Sequence, residues 1–263
     1  MLTIKNYVRA ASIEEAYELN QKKNNRVMGG MMWLRTGSSS IDTIVDLSGL
    51  GLDKIEETED EFRIGAMVTL RQLEKDPALN NYSQHAVEKA VKDIVGVQFR
   101  NSATVGGSIY GRYGFSDVLT VFMAMDSYVE LHKGGIVPLN QYAQMKYDRD
   151  LLLHLIIKKK PAKFAYLTMR NQRTDFPVLT VAVSNPDGEY RAVVGARPGK
   201  AVIIKDESNI LAAGITQESA DAFAKYVSGS IKTCSNIRGS EKYRKHLACV
   251  LTSRAVMEIG GEV

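Results

Sequence analysis

Gln98 to Asp117 reads QFRNSATVGGSIYGRYGFSD, and much of the chain makes sense only beside it. Within it, Thr104-Val105-Gly106-Gly107-Ser108 sets a glycine pair between hydroxyl residues. Glycine admits positive φ and lets backbone approach a ligand with no side chain in the way. Successive N–H groups in such a turn form an anion-binding concavity. A second pair lies upstream in Arg26-Val27-Met28-Gly29-Gly30-Met31-Met32. Either pair alone is a weak signal and reads as an ordinary tight turn. Two in tandem, each after a short apolar run, predict two loops closing on one extended ligand with phosphates at its middle.

Working outward, 263 residues suffice for one large domain or two modest ones with a real core. With 44% hydrophobic and 24% charged residues the composition is that of a globular protein. The net charge of +4 is spread along the chain, and no basic face carries interleaved aromatics, so nucleic acid is not an expected partner. Lys158-Lys159-Lys160 reads as a solvated strand end. Cys234 and Cys249 are isolated, which gives neither a cysteine-ligated metal or iron–sulfur site within this chain nor a disulfide framework. They fit a reducing cytoplasm. MLTIKNYV lacks a signal-peptide core, and no apolar run is long enough to span a membrane, so a cytoplasmic location is expected.

The residues from Asn6 to Ala11 lead into Ser12-Ile13-Glu14-Glu15, a capping-box pattern, with Ile13, Ala16 and Tyr17 on one helical face. Arg26–Met28 reads as a short buried strand feeding the first glycine loop; Thr43–Leu47 and Phe62–Ala66 follow, and Thr69 caps a helix. A helix is predicted from Ser83 to Val95, and another after Asp117, where the helix dipole favours an acid. Strands are predicted over Tyr128–Leu131 and Leu151–Ile157. The lysine run and Pro161 then mark a boundary, giving domains 1–160, subdivided near 55–60, and 161–263. Beyond it three strands are predicted, Phe164–Met169, Phe176–Val183 and Glu189–Val194, the last two joined by the hairpin signal Asn185-Pro186-Asp187-Gly188. Two helices follow, Thr216–Val227 and one capped by Ser240. The class expected is α+β.

Hydrolytic machinery is hard to find. His85, His132, His154 and His246 have no metalloprotease spacing, no GxSxG elbow is present, and Gly49-Leu50-Gly51 lacks the third glycine of a Rossmann fingerprint. Binding chemistry without acid, base or nucleophile suits a protein whose cofactor does the reacting.

Here the chain resembles the FAD-binding (medium) subunits of the molybdenum hydroxylases, the xanthine dehydrogenase and carbon monoxide dehydrogenase flavoprotein family. VMGGMMWL is similar to the first flavin loop, TIVDLSGL and FRIGAMVTLRQLE to the steps after it. RNSATVGGSIYGRYGFSDVLTVFMAMDSYVEL is similar to the second flavin loop and its helix. MRNQRTDFPVLTVAVS and NIRGSEKYRKHLACVLTSRAV resemble the opening and closing blocks of the C-terminal domain. The resemblance implies an FAD-binding module of two small α/β subdomains, of the vanillyl-alcohol-oxidase-like type. A C-terminal domain with a three-stranded antiparallel sheet and helices would follow.

The resemblance also implies roles. Val27, Met28, Gly29, Gly30, Met31, Met32 and Trp33 would wrap the FAD pyrophosphate through backbone N–H groups. Thr104, Gly106, Gly107 and Ser108 would cover it from the other side, with Arg100 and Asn101 orienting that loop. Ser116 and Asp117 would hold the adenosine half, and Leu152 would lie on a strand beside the flavin. Implied partners are a molybdopterin-binding large subunit and a [2Fe-2S] small subunit, with NAD+ or another acceptor taking the electrons. The chain departs from the family at Met31 (often threonine), Ser108 (usually asparagine) and Asn236 (commonly aspartate). It also lacks a lysine near Tyr166–Thr168 and has a short Gly134–Asp150 linker. Those departures keep a second reading open, an FAD-binding or assembly protein without productive electron transfer.

Overall fold

A computed structural model describes residues 1–261. The first unit is a three-stranded parallel sheet. Its strands are β1 (Thr3–Arg9), β2 (Arg26–Met28) and β3 (Ser40–Asp46), in the order β1-β3-β2. Helix α1 (Ile13–Gln21) crosses between β1 and β2, with Ala16 fully buried. The Ser12 hydroxyl accepts from Glu15 N at 3.1 Å, but the Glu15 carboxylate reaches Ala11 N instead of Ser12 N, so the capping box is incomplete. β2 is not the buried strand expected: Arg26 is exposed and Val27 and Met28 half-buried, because β2 is an edge that leads into the site.

The second unit is a five-stranded antiparallel sheet. It holds β4 (Ile55–Glu57), β5 (Glu61–Gly65), β6 (Ser127–Leu131), β7 (Gly135–Pro138) and β8 (Leu152–Lys158), ordered β4-β5-β8-β6-β7. Between β5 and β6 run six short helices: α2 (Leu70–Lys75), α3 (Pro77–Tyr82), α4 (Ala86–Val91), α5 (Val97–Ser102), α6 (Val105–Tyr110) and α7 (Asp117–Met123). α8 (Leu139–Tyr142) follows β7. The single helix expected over Ser83–Val95 is shorter, only α4 from Ala86 to Val91. Ser83 ends α3, and Gln84 and His85 take left-handed backbone before α4 starts. A β-branched Val95 at φ 51° then makes a further turn. The glycine stretch is more helical than its composition implies, since α5 and α6 occupy most of it.

The third unit is antiparallel with four strands, not three: β9 (Phe164–Arg170), β10 (Pro177–Ser184), β11 (Arg191–Gly195) and β12 (Val202–Lys205), in the order β12-β11-β10-β9. The hairpin at Asn185–Gly188 joins β10 to β11 as its turn residues require. α9 (Gln217–Ser230) and α10 (Glu241–Gly260) cover one face. α7 of the second unit covers the other. Thr120 Oγ1 lies 3.2 Å from Thr180 Oγ1, and the Ser184 hydroxyl donates to Ala124 O at 2.5 Å. β10 is therefore buried along its whole length, which explains its unbroken run PVLTVAVS. On α10, Leu247 and Leu251 face the core. Tyr243 is exposed, and the buried position one residue on is Arg244.

The lysine run behaves as a solvated strand end with partners. Lys158 pairs with Glu61, Lys159 with Glu57, and Lys160 with Asp126 and Asp187.

Candidate functional site

The two glycine pairs meet in space. Gly30 lies against the backbone that leads into α6: a Cβ there would fall 1.8 Å from Ser102 O. A Cβ on Gly29 would fall 2.7 Å from Thr104 Oγ1, and one on Gly106 2.7 Å from both Cβ and O of Ala66. None of the four glycines has left-handed backbone; the residue that does is Met31, at φ 56°. Glycine is needed here for close approach, not for positive φ.

The loops differ in what their amides do. In the second, Val105 N donates to Val68 O at 2.8 Å and Gly106 N to Ala66 O at 2.8 Å. Gly107 N donates to Thr104 Oγ1 at 3.1 Å and Ser108 N to Thr104 O at 3.0 Å. All four are satisfied inside the protein. In the first loop, the N–H groups of Gly29, Gly30, Met31, Met32 and Trp33 donate to no acceptor among the described residues. Five successive amides without a protein acceptor, on residues that line one cleft, are a candidate anion site.

That turn lines a cleft of about 520 Å³, which shares Arg26, Val27, Gly29, Thr104, Gly107 and Tyr110 with a smaller adjoining recess of about 140 Å³. Gly30, Met31, Met32, Trp33, Ser108, Ser116 and Asp117 line the wide part. Met28, Gly106 and Leu152 line the recess. Arg100 and Asn101 line neither. Arg100 is buried behind the second loop, where its Nε donates to Glu74 Oε2 at 2.7 Å and Nη1 to Ile94 O at 3.1 Å, while Asn101 is exposed on α5. Burial would raise the Glu74 carboxyl, but the bonds from Arg100 and Arg71 outweigh it and hold the carboxyl below its ordinary range.

Two residues assigned from the resemblance to the adenosine half are already engaged. The Ser116 hydroxyl caps α7 by accepting from Leu119 N at 3.1 Å. Asp117 is 5% exposed, and its Oδ1 accepts from Tyr166 Oη at 2.5 Å and from Arg170 Nη2 at 2.5 Å. Burial pushes the Asp117 carboxyl up, against the opposing pull of Arg170 and Tyr166. The same burial, with the Asp117 charge, pushes the Tyr166 hydroxyl well up. This cluster ties α7 to β9 in the cleft wall.

Sequence reasoning missed the aromatic lining. Trp33 stacks on Phe176 with ring centres 5.5 Å apart, and Tyr113 on Phe115 at 5.1 Å; Phe115 also meets Phe176 edge-on at 4.8 Å. The spacing of Tyr110, Tyr113 and Phe115 was visible in the chain; Phe176 reaches the cleft only through the third unit's packing. Behind them Arg112, at φ 44°, stacks on Tyr142 at 4.0 Å and donates to Tyr142 O at 3.0 Å, which fixes the turn after α6.

A mixed fold with two facing glycine loops, open amides and an aromatic-lined cleft defines a binder of an extended, phosphate-bearing aromatic cofactor. Residues 2–159 match the family model described as the FAD binding domain in molybdopterin dehydrogenase, and the chain belongs to that family. It is 25% identical to the nicotine 6-hydroxylase medium subunit of Paenarthrobacter nicotinovorans, over 97% of this chain and 96% of that one. It is 26% identical to a putative xanthine dehydrogenase FAD-binding subunit of Escherichia coli, over 98% and 97%. It is 23% identical to the glyceraldehyde dehydrogenase medium chain of Sulfolobus acidocaldarius, over 96% and 97%. Among solved structures, a chain of Cu,Mo-CO dehydrogenase superposes with a TM-score of 0.86 at 20% identity, covering 100% of both chains. A chain of quinoline 2-oxidoreductase from Pseudomonas putida 86 gives 0.84 at 17% identity, covering 100% of this chain and 98% of that one. The protein is an FAD-binding oxidoreductase subunit of the molybdenum hydroxylase family. No helix among the described residues is long and apolar enough to cross a membrane.

Proposed function

We propose that the chain carries FAD as the electron-transfer subunit of a molybdenum hydroxylase. It would receive electrons from a [2Fe-2S] subunit, served in turn by a molybdopterin-binding subunit, and deliver them to NAD+ or another acceptor. The observation that carries this reading is the run of five amides from Gly29 to Trp33 that have no protein acceptor and line the cleft, Gly29 also bordering the recess. A pyrophosphate supplies the acceptors those donors lack. FAD supplies the redox chemistry, and the chain's own residues bind, orient and shield it.

The two halves of the cleft favour one orientation. The wide part, with its aromatic wall, suits the three-ring isoalloxazine; the narrow recess beside Leu47, Met67 and Leu152 suits the smaller adenine. That reverses the orientation implied by the resemblance. Asp117 then serves as an anchor for Arg170 and Tyr166 in the flavin-side wall, and Leu152 contacts the adenosine end. We divide the chain at residue 160, the first part being two small α/β subdomains of the vanillyl-alcohol-oxidase-like type. Two free thiols fit a cytoplasmic setting.

The test is direct. The purified chain should carry or take up one FAD, with visible flavin absorbance and quenched Trp33 fluorescence. Reduction by a dye should be reversible, and substrate hydroxylation should be absent without partner subunits. A folded chain that binds no FAD on titration sinks the reading; one that binds FAD without reversible reduction supports the non-transferring alternative.

A further inference from the structure

A clamp between the first and second units runs along the recess. Arg149, on the segment that enters β8, donates through Nη1 to Asn20 O at 2.6 Å and to Lys22 O at 2.8 Å, and through Nη2 to Lys23 O. Those carbonyls lie at the end of α1, where a helix leaves its last C=O groups without partners and favours a cation. α1 has no basic residue in its own last turn, so the cation comes from 126 to 129 positions away. The contact is returned: Asn20 Nδ2 donates to Arg149 O at 2.7 Å, and Gln21 Nε2 donates to the same oxygen at 3.0 Å.

This clamp fixes how Asn20 faces the recess that it lines. Asn20 is 6% exposed. Arg149 O is a carbonyl, and only the Nδ2 end of an amide can donate to it. Oδ1 is then the opposite end, and it accepts from no donor among the described residues. Buried polar atoms are nearly always paired, so an open one on a cavity wall points to what the cavity receives. Other polar side chains at the recess are occupied. Asp150 accepts from the N–H groups of Lys133, Gly134 and Leu151, and the Tyr110 hydroxyl donates to Asp148 O at 2.8 Å. Val27, Met28, Leu47, Met67 and Leu152 make much of the remaining wall apolar.

An apolar slot with one buried, open acceptor suits a flat base that carries an exocyclic amine. We propose that Asn20 reads the 6-amino group of the cofactor's adenine, with Arg149 as the positioning residue that holds its amide. The recess then accepts adenine and rejects 6-oxopurines. Hypoxanthine and guanine put a carbonyl where adenine has its amine, and two acceptors facing each other leave Oδ1 buried and unpaired. The inference rests on the reading above, in which FAD lies with its adenine in the recess.

FAD-free full-length chain tests it by titration with FAD and with its deaminated analogue, flavin hypoxanthine dinucleotide, followed by flavin fluorescence. The two ligands differ only at the purine 6 position. Wild type should bind FAD at least about tenfold more tightly than the analogue. Asn20→Ala should weaken FAD about tenfold and the analogue little, so that the two bind alike. Arg149→Met should narrow the ratio in the same direction, and Arg149→Lys, which keeps a cation at the end of α1, should recover part of it. The wild-type comparison needs no variant, so it decides even where Asn20→Ala fails to fold. Equal wild-type affinities for FAD and the analogue overturn the assignment of Asn20 alone. So does an Asn20→Ala chain that keeps the wild-type preference. Arg149→Met that lowers the melting temperature and both affinities together, with the ratio intact, overturns the positioning role. A folded wild-type chain that binds no FAD overturns the underlying reading and this proposal with it.

Discussion

The two glycine pairs have the same sequence and opposite occupations. The run from Gly29 leaves five amides without a protein acceptor among the described residues, while Gly106-Gly107 lies in the first turn of a short helix whose first four amides are spent on Thr104, Ala66 and Val68. The first loop presents donors. The second forms a wall and gives the first something to lean on, with the Thr104 hydroxyl between them. A Gly-Gly motif therefore reports that backbones come close; whether its N–H groups are available depends on the element it opens.

The largest test of that contrast is Gly30→Ala. Its Cβ would lie 1.8 Å from Ser102 O, so the loops must part, at a cost of about 3 kcal/mol or more by overpacking. Calorimetry should show a large fall in Tm, and the protein should isolate without FAD. Gly106→Ala comes next. Its Cβ meets Ala66 at 2.7 Å, and about 2 kcal/mol of stability should go. FAD affinity of the molecules that remain folded should fall little, because that amide already points into the protein.

Glu74 gauges how firmly the second loop is fastened. Its carboxyl is held below the ordinary range in the folded protein, so the stability it contributes is present above the unfolded value and is lost as pH falls through the folded one. Glu74→Gln should cost on the order of 1.5 kcal/mol at neutral pH. It should also flatten the acid limb of the Tm profile; an unchanged limb would assign the acid sensitivity elsewhere. Gly107→Ala should be smallest in stability. Its Cβ has only Thr104 Oγ1 within contact, at 3.2 Å, and alanine suits a helix. Tm should hold while the Kd for FAD rises about tenfold, a loss near 1.4 kcal/mol, as a methyl enters the cleft. Equal effects of Gly106→Ala and Gly107→Ala on FAD affinity would erase the distinction drawn between their faces.

The legible parts of the chain share a physical trait. β3, β5, β6, β8, β10 and β11 lie inside their sheets and carry dense apolar runs that mark them in sequence. The strands not foreseen, β1, β4, β7 and β12, are all edges. Thr3–Arg9 is exposed at nearly every position, and Ile55–Glu57 holds one half-buried residue, so neither shows an alternation to read. In the site, glycines and hydroxyls announced the loops, but the engagement of Asp117 by Tyr166 and Arg170 joins residues about fifty positions apart. The same holds for Phe176, whose place against Trp33 depends on how β10 meets α7.

That β10 contact bears on what can be cut from this protein. The lysine–proline punctuation at 158–161 looks like a place to divide the chain, and the family model ends at residue 159. Yet Thr120 against Thr180, Ser184 on Ala124, and Tyr166 within the second unit's core lie across that point. A fragment ending at 160 would bare the apolar α7 face and take Tyr166 and Arg170 away from Asp117. Those contacts across the punctuation predict that the parts on either side of it unfold in one calorimetric transition, and that a fragment ending at 160 needs the sheet that closes it.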